Sequence, residues 1–199
     1  MPGTGSEYHV KYTRRGVSMS KKIARTSLAA ALCGLLAGFL AVQSAAADSV
    51  RINGDTVIDK KMDGDVASVG GDVDIRADIT GDVGVVDGDL RIAATVKGDV
   101  GIVSGDLNLT GDGVVDGDMG VAGGGATIDG TIKGNAGVAG GPVTVSGTIE
   151  GNLEVDGGKV TIAGGARIGG KLIIEGPAEP TVSPGASITG GIDYTEKAD

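Results

Sequence analysis

The chain has 199 residues, 39 of them glycine, with 26 acidic residues against 17 basic ones and a net charge of −9. This acidity argues against nucleic acid and anionic membranes as partners, because both select for basic surfaces. The only His, Cys and Phe fall within residues 1–47. The rest of the chain therefore lacks the side chains needed for Ser-His or Cys-His catalysis.

The N-terminal part of the chain has the pattern of a secretory signal. A basic stretch (residues 21–25) precedes an apolar run (residues 28–42), and Ala45 and Ala47 form an A-x-A cleavage site. The apolar run is shorter than the about 20 residues that a membrane span needs. We therefore expect cleavage after Ala47, with an uncleaved anchor as the alternative.

This pattern divides the chain into three parts. Residues 1–47 are predicted to be an N-terminal extension plus the signal peptide, with Met19 as an alternative start because the basic region is otherwise unusually long. Residues 48–194 contain the repeats described next, and residues 195–199 form a short charged tail. The mature protein is expected in the periplasm, attached to the envelope or outside the cell.

A glycine that begins a repeat unit recurs throughout residues 48–194. The units begin at Gly64, Gly81, Gly98, Gly117, Gly134, Gly151, Gly170 and Gly190. Their spacings are 17, 17, 19, 17, 17, 19 and 20 residues, and a degenerate unit precedes them at about residues 47–63. The common helical repeats are longer, at about 33–47 residues, and the abundant Gly and β-branched residues disfavour helices. One unit is therefore predicted to form one turn of a β-solenoid.

Apolar residues recur at five positions of each unit, with small or polar residues between them. In one unit they form the alternations 83–85 (Val-Gly-Val) and 90–92 (Leu-Arg-Ile), followed by a single apolar position at Val96. Such alternation predicts short, half-buried strands. The expected fold is all-β, a single-stranded parallel β-helix with a triangular cross-section and about 7–8 coils of 17–20 residues. The general rule for parallel crossovers favours right-handed coiling.

The Gly-Asp and Gly-Gly pairs are predicted to form the corners of each coil. Glycine adopts positive φ without steric cost, and an adjacent Asp or Asn can accept a hydrogen bond from the local backbone. The extra residues of the longer units fall mainly at 110–116 and 164–167. There a loop is expected to bulge outward between the second and third strands.

Two columns of acidic residues are the only candidates for site chemistry. One contains Asp65, Asp82, Asp99 and Asp118, followed by Asn135 and Asn152; the other contains Asp55, Asp72, Asp89 and Asp106. Like charges one coil apart repel by about 1 kcal/mol even in water, and Ca²⁺ could relieve this repulsion. The nine-residue repeat of calcium-binding solenoids is absent. Solvated corner residues are therefore the favoured interpretation and a Ca²⁺ ladder the alternative, and no metal or cofactor site is assigned.

The stretches VTIAGGARIGG (160–170) and PTVSPGASITGG (180–191), with recurring GDV, GNA and GNL corners, resemble the bactofilin family of polymer-forming β-helices. The resemblance covers about residues 50–194. It implies a right-handed β-helix that binds no nucleotide and assembles end to end into a bacterial scaffold. Members of that family are typically cytoplasmic, whereas this chain carries an export signal.

No enzyme is predicted. The six-residue period of hexapeptide acyltransferases is absent, and their usual catalytic His has no counterpart after residue 47. Carbohydrate-cleaving β-helices usually have aromatic-lined clefts, which the single aromatic residue of the repeat region, Tyr194, cannot provide. The many carboxylates leave a two-carboxylate glycosidase as the one enzymatic alternative.

The two ends of the solenoid are the predicted sites of self-association, because an uncapped coil edge can pair with another chain. The candidate residues are Val50, Ile52, Ile192 and Tyr194. Lys60, Lys61 and the charged tail could oppose such pairing. The predicted function is an exported, self-associating scaffold of the bacterial envelope, with a second copy or an envelope component as its partner. The alternative is a surface-exposed, adhesin-like or Ca²⁺-stabilised binding solenoid.

Overall fold

The computed structural model describes residues 10–12 and 50–197, with side chains from residue 53 to 197. These residues form short β-strands and no helix. Within this part of the chain, accordingly, no helix could cross a membrane. Apart from residues 10–12, the predicted signal segment lies outside the described residues.

The strands form three parallel sheets, one on each side of the coil. Sheet A contains β1 (Val10–Tyr12), β2 (Val50–Ile52), β4 (Val66–Val69), β6 (Val83–Val86), β9 (Val100–Val103), β12 (Met119–Ala122), β15 (Ala136–Ala139), β18 (Leu153–Asp156), β21 (Leu172–Gly176) and β24 (Ile192–Glu196). Sheet B contains β3 (Thr56–Ile58), β5 (Val73–Ile75), β7 (Leu90–Ile92), β10 (Leu107–Leu109), β13 (Ala126–Ile128), β16 (Val143–Val145), β19 (Val160–Ile162) and β22 (Thr181–Val182). Sheet C contains β8 (Thr95–Val96), β11 (Val114–Val115), β14 (Thr131–Ile132), β17 (Thr148–Ile149), β20 (Arg167–Ile168) and β23 (Ser187–Ile188).

The chain visits the three sheets in turn and makes about eight turns. Equivalent residues pair from coil to coil, as Val83 does with Val66 on one side and with Val100 on the other. At the usual spacing of neighbouring strands, about 4.8 Å, eight turns give a rod about 40 Å long. The predicted all-β solenoid is confirmed.

Each coil contributes about five inward apolar side chains. In the coil that begins at Gly81 these are Val83, Val85, Leu90, Ile92 and Val96, all at most 1% exposed. Burying one such side chain contributes about 1.5–3 kcal/mol. A single coil has no neighbour above or below to cover these side chains, so stability depends on stacking.

The corners that follow β4, β6, β9, β12, β15 and β18 of sheet A use two adjacent positions for different reasons. The first takes a left-handed conformation, and Asp87 (φ 61°) and Ser104 (φ 60°) occupy it as well as glycines such as Gly140 (φ 117°). The second is always glycine, as at Gly88 and Gly158. A Cβ atom there would meet the carbonyl oxygen of the glycine one coil earlier.

The glycine of the recurring Gly-Asp pair also lies where the backbones of consecutive coils come too close for a Cβ atom. Gly64 has a positive φ of 138°, whereas Gly81 and Gly98 do not. A Cβ atom on Gly98 would meet both the backbone of Gly81 and the carboxylate of Asp82. The prediction that positive φ explains the glycines of these pairs is confirmed at Gly54 and Gly64 but is wrong at Gly81 and Gly98, where the tight stacking of consecutive coils explains them.

The extra residues of the longer units lie where the sequence predicts. Turns at 111–112 and 164–165 connect sheet B to sheet C, between β10 and β11 and between β19 and β20. Neither turn interrupts the inward columns, since Val115 and Ile168 remain buried.

The two ends of the stack differ in strand pairing. At the C-terminal end β24 pairs in parallel with β1, with Val10 opposite Ile192 and Tyr12 opposite Tyr194. At the N-terminal end no described strand pairs with the outer edges of β2 and β3. One edge of sheet A is thus covered by an upstream segment of the same chain.

Candidate functional surfaces

The first acidic column, here called the corner ladder, runs along one edge of the solenoid. Its members are Asp65, Asp82, Asp99, Asp118, Asn135 and Asn152. Each side-chain Oδ1 accepts a hydrogen bond from the backbone amide of the equivalent residue one coil later. The Asp99 amide, for example, donates to Asp82 at 2.8 Å, and the Lys171 amide donates to Asn152 at 2.8 Å. The ladder therefore supplies hydrogen-bond acceptors for the corner amides. Such acceptors are needed because a buried backbone amide without a partner is costly.

The second acidic column, the groove ladder, consists of Asp55, Asp72, Asp89 and Asp106 and makes the same contact. The Asp89 amide donates to Asp72 at 2.9 Å, and the Gly125 amide donates to Asp106 at 2.6 Å. The ladder ends at Gly125 because glycine offers no side-chain acceptor to the following coil. These carboxylates line a shallow groove of about 640 Å³ along sheet B.

Ion pairs balance part of the charge in this groove. Asp74 contacts Arg76 at 2.7 Å and Arg91 at 3.2 Å. Burial raises the pKa of Asp74, but the hydrogen bonds and charges of both arginines outweigh it and hold the pKa below its ordinary value. Such exposed pairs contribute at most about 1 kcal/mol each. The groove therefore carries positive as well as negative side chains.

Neither ladder has the geometry of a metal centre. Among the residues that the structure describes, no three His, Cys, Asp or Glu side chains form a group that could hold a metal ion. One oxygen of each carboxylate in the run from Asp65 to Asp118 already accepts an amide hydrogen bond. The geometry supports the corner interpretation of these residues.

Acidic residues also gather on the outer face of sheet A near its C-terminal end. Burial, then the nearby charges of Glu175 and Asp156, raise the pKa of Glu154. Lys197 lies across this patch and contacts Asp156 at 2.7 Å and Glu175 at 3.1 Å. The start of the charged tail is therefore held against the last coils.

The residues predicted to mediate self-association belong to the terminal strands of sheet A. Ile192 and Tyr194 point inward, with 3% and 7% exposure, and the Tyr194 hydroxyl donates to the Gly176 carbonyl at 3.1 Å. Val50 and Ile52 pair with β4 through their backbone, and their side chains lie outside the described set. Among the described strands, the outer edge of β2 is therefore unpaired, whereas the outer edge of β24 is paired with β1.

The corner ladder leads to a prediction at Asp82. Asp82→Asn keeps the acceptor for the Asp99 amide and removes one charge, as Asn135 and Asn152 do at the same position. We expect its free energy of unfolding to lie within about 0.5 kcal/mol of the original. Asp82→Ala leaves that amide without its acceptor and should cost about 1–2 kcal/mol. Urea unfolding at low and physiological salt measures both changes.

The same pair of variants tests the Ca²⁺ alternative. If the ladder binds no cation, Ca²⁺ and Na⁺ at matched ionic strength should change the melting temperature equally in the original chain and in Asp82→Asn. A Ca²⁺-specific rise that Asp82→Asn abolishes would contradict the corner interpretation and assign a metal to the ladder.

No family model, curated protein or solved structure matches this chain. The β-solenoid fold is compatible with a β-helix family. Any closer relation to bactofilins rests on the repeat and corner patterns.

Proposed function

We propose that the protein is an exported structural element of the bacterial envelope that self-associates end to end through sheet A. The observation that carries this proposal is the unbroken strand register from β2 to β24. Val50 pairs with Val66 at one end and Leu172 pairs with Ile192 at the other. In a mature chain that begins at Asp48 and so lacks β1, a second copy placed on either end would continue the same pairing.

The backbone amides at the N-terminal end are oriented for this. In parallel strands successive amides point to opposite sides. The Val66 amide donates to the backbone carbonyl of Asp82 in the following coil at 2.8 Å, and Val50 is the equivalent of Val66 one coil earlier. The Arg51 amide therefore points away from β4, toward the position of an incoming strand.

At the C-terminal end, the other sheets are less suited to pairing than sheet A. Strand β22 has only two residues, and Pro180 and Pro184 lie on either side of it. Proline removes a backbone donor and opposes edge pairing. The five-residue β24 contains no proline, so it is the favoured contact strand.

Protein purified from the envelope of an expressing bacterium tests export and self-association together. We expect an intact mass that corresponds to a start at or near Asp48, and filaments or oligomers in sedimentation and electron microscopy. Full-length chain in the cytosol would contradict export. Strictly monomeric behaviour at high concentration, at both low and physiological salt, would contradict self-association, and discrete rods would favour the binding solenoid.

A matched pair at Arg51 locates the contact. Arg51→Pro removes an amide that no described strand uses, so it should leave each subunit folded while abolishing oligomers. Arg51→Lys keeps the amide and the charge and should assemble like the original. Equal assembly of both variants would mean that association does not use the edge of β2.

A further inference from the structure

We infer that the outer edge of β24 is a strand-acceptor site, and that Val10–Tyr12 fills it as an internal cap until residues 1–47 are removed. The inference rests on the proposed end-to-end contact and adds a mechanism that regulates when this contact can form. It concerns the chain that begins at Met1. The observation behind it is the parallel pairing of β1 with β24, in register over all three residues of β1.

The cap occupies the place where the next coil would lie. Strand β24 pairs with β21 on one side and with β1 on the other, so β1 continues sheet A by one strand. A second copy that docks end to end would need this same edge for its own β2. One edge accepts one strand, so β1 and an incoming β2 exclude each other.

The two competing segments have the same residue pattern. Val10-Lys11-Tyr12 and Val50-Arg51-Ile52 are both apolar, basic, apolar. In the register of β1, the central basic position lies opposite Asp193. Opposite charges on directly paired positions favour strand association. Asp193 is about half exposed and already contacts Lys171 at 2.9 Å, so this position of the edge is acidic and accessible.

The direction of the amides makes the cap measurable. The Leu172 amide donates to Gly191 in the next coil at 3.0 Å, whereas the Lys197 amide donates back to Gly176 at 3.0 Å. By the same alternation, the amides of Ile192 and Tyr194 face β1. The amides of Asp193 and Thr195 face β21 and serve as internal controls.

Hydrogen exchange of the full chain, residues 1–199, tests the cap in Lys11→Pro. This change removes the central amide of β1 and should expel the strand. We expect exchange at Ile192 and Tyr194 to become at least about tenfold faster. Asp193, Thr195 and inner-coil amides should be unchanged, and Lys11→Arg should behave like the original chain. Unchanged exchange at Ile192 and Tyr194 in Lys11→Pro would overturn the inference.

Addition of a strand in trans identifies what the freed edge accepts. A synthetic peptide of residues 48–54 (DSVRING), added in excess to Lys11→Pro, should restore protection at Ile192 and Tyr194. The same peptide with proline in place of Arg51 should not. Equal effects of the two peptides would contradict a strand-acceptor site.

Sedimentation of the same variants separates this inference from the proposed function. If Lys11→Pro assembles and the original full chain does not, both are supported. If both chains assemble equally, the cap does not block docking and the inference fails, while self-association stands. If exchange shows the edge open in Lys11→Pro and the chain stays monomeric at high concentration, the acceptor site stands and end-to-end association fails. Residues 28–42 are common to all variants, so any association through them cancels in the comparison.

Discussion

Alanine in place of Gly158 should destabilise the protein by about 3 kcal/mol or more. Its Cβ atom would meet the carbonyl oxygen and carbon of Gly141 in the preceding coil. Both contacts are backbone atoms, and the pairing of β15 with β18 and of β16 with β19 holds the two coils together on either side of this corner. The clash can be relieved only by separating coils, which breaks strand hydrogen bonds and opens the core.

Gly111→Ala is the matched control for this clash. Gly111 lies in the turn between β10 and β11, and a Cβ atom there would meet no atom within 4 Å. Its φ is outside the left-handed region, so the free energy of unfolding should change by less than about 0.5 kcal/mol. Urea unfolding of both variants, followed by circular dichroism, measures the difference. Equal stabilities would show that coil spacing does not determine which glycines are required.

The fold could be predicted from the sequence because each coil repeats one pattern of inward positions. The alternation Leu90-Arg91-Ile92 identifies a strand with one wet face, and its recurrence every 17–20 residues places equivalent residues in register. Even the two-residue insertions could be located, since they leave the inward position of Val115 intact.

Some glycines are needed for a positive φ and others because a Cβ atom would clash with the preceding coil. These two roles were harder to predict, because both appear in the sequence as a recurring glycine. The distinguishing signal is substitution within a column. The left-handed position accepts Asp87 and Ser104, whereas the position that follows is glycine in both coils, Gly88 and Gly105. Variation thus marks a conformational requirement that other residues can meet at some cost, and invariance of the second position from Gly71 to Gly158 marks a steric one.

The role of the corner ladder could be predicted from the sequence, whereas the pairing of β1 with β24 could not. The replacement of Asp by Asn at 135 and 152 already indicates that the column needs an acceptor rather than a charge. By contrast, no periodicity connects Val10–Tyr12 with Ile192–Glu196. Their pairing joins segments that lie far apart in the chain. It depends on where the last coil ends, and that position is known only once the solenoid has folded.

Val115→Ala should lower the free energy of unfolding by about 2 kcal/mol, while Val114→Ala should change it by less than about 0.5 kcal/mol. Val115 is fully buried and lies between Val96 and Ile132 of the adjacent coils, whereas Val114 is on the outer side of the same strand and only half-buried. The chemical change is identical and the loss of β-propensity is similar in both variants. The difference therefore isolates the cavity left in the core. Thermal and urea unfolding measure it, and equal losses at the two positions would contradict the assignment of the inward face on which the whole stack depends.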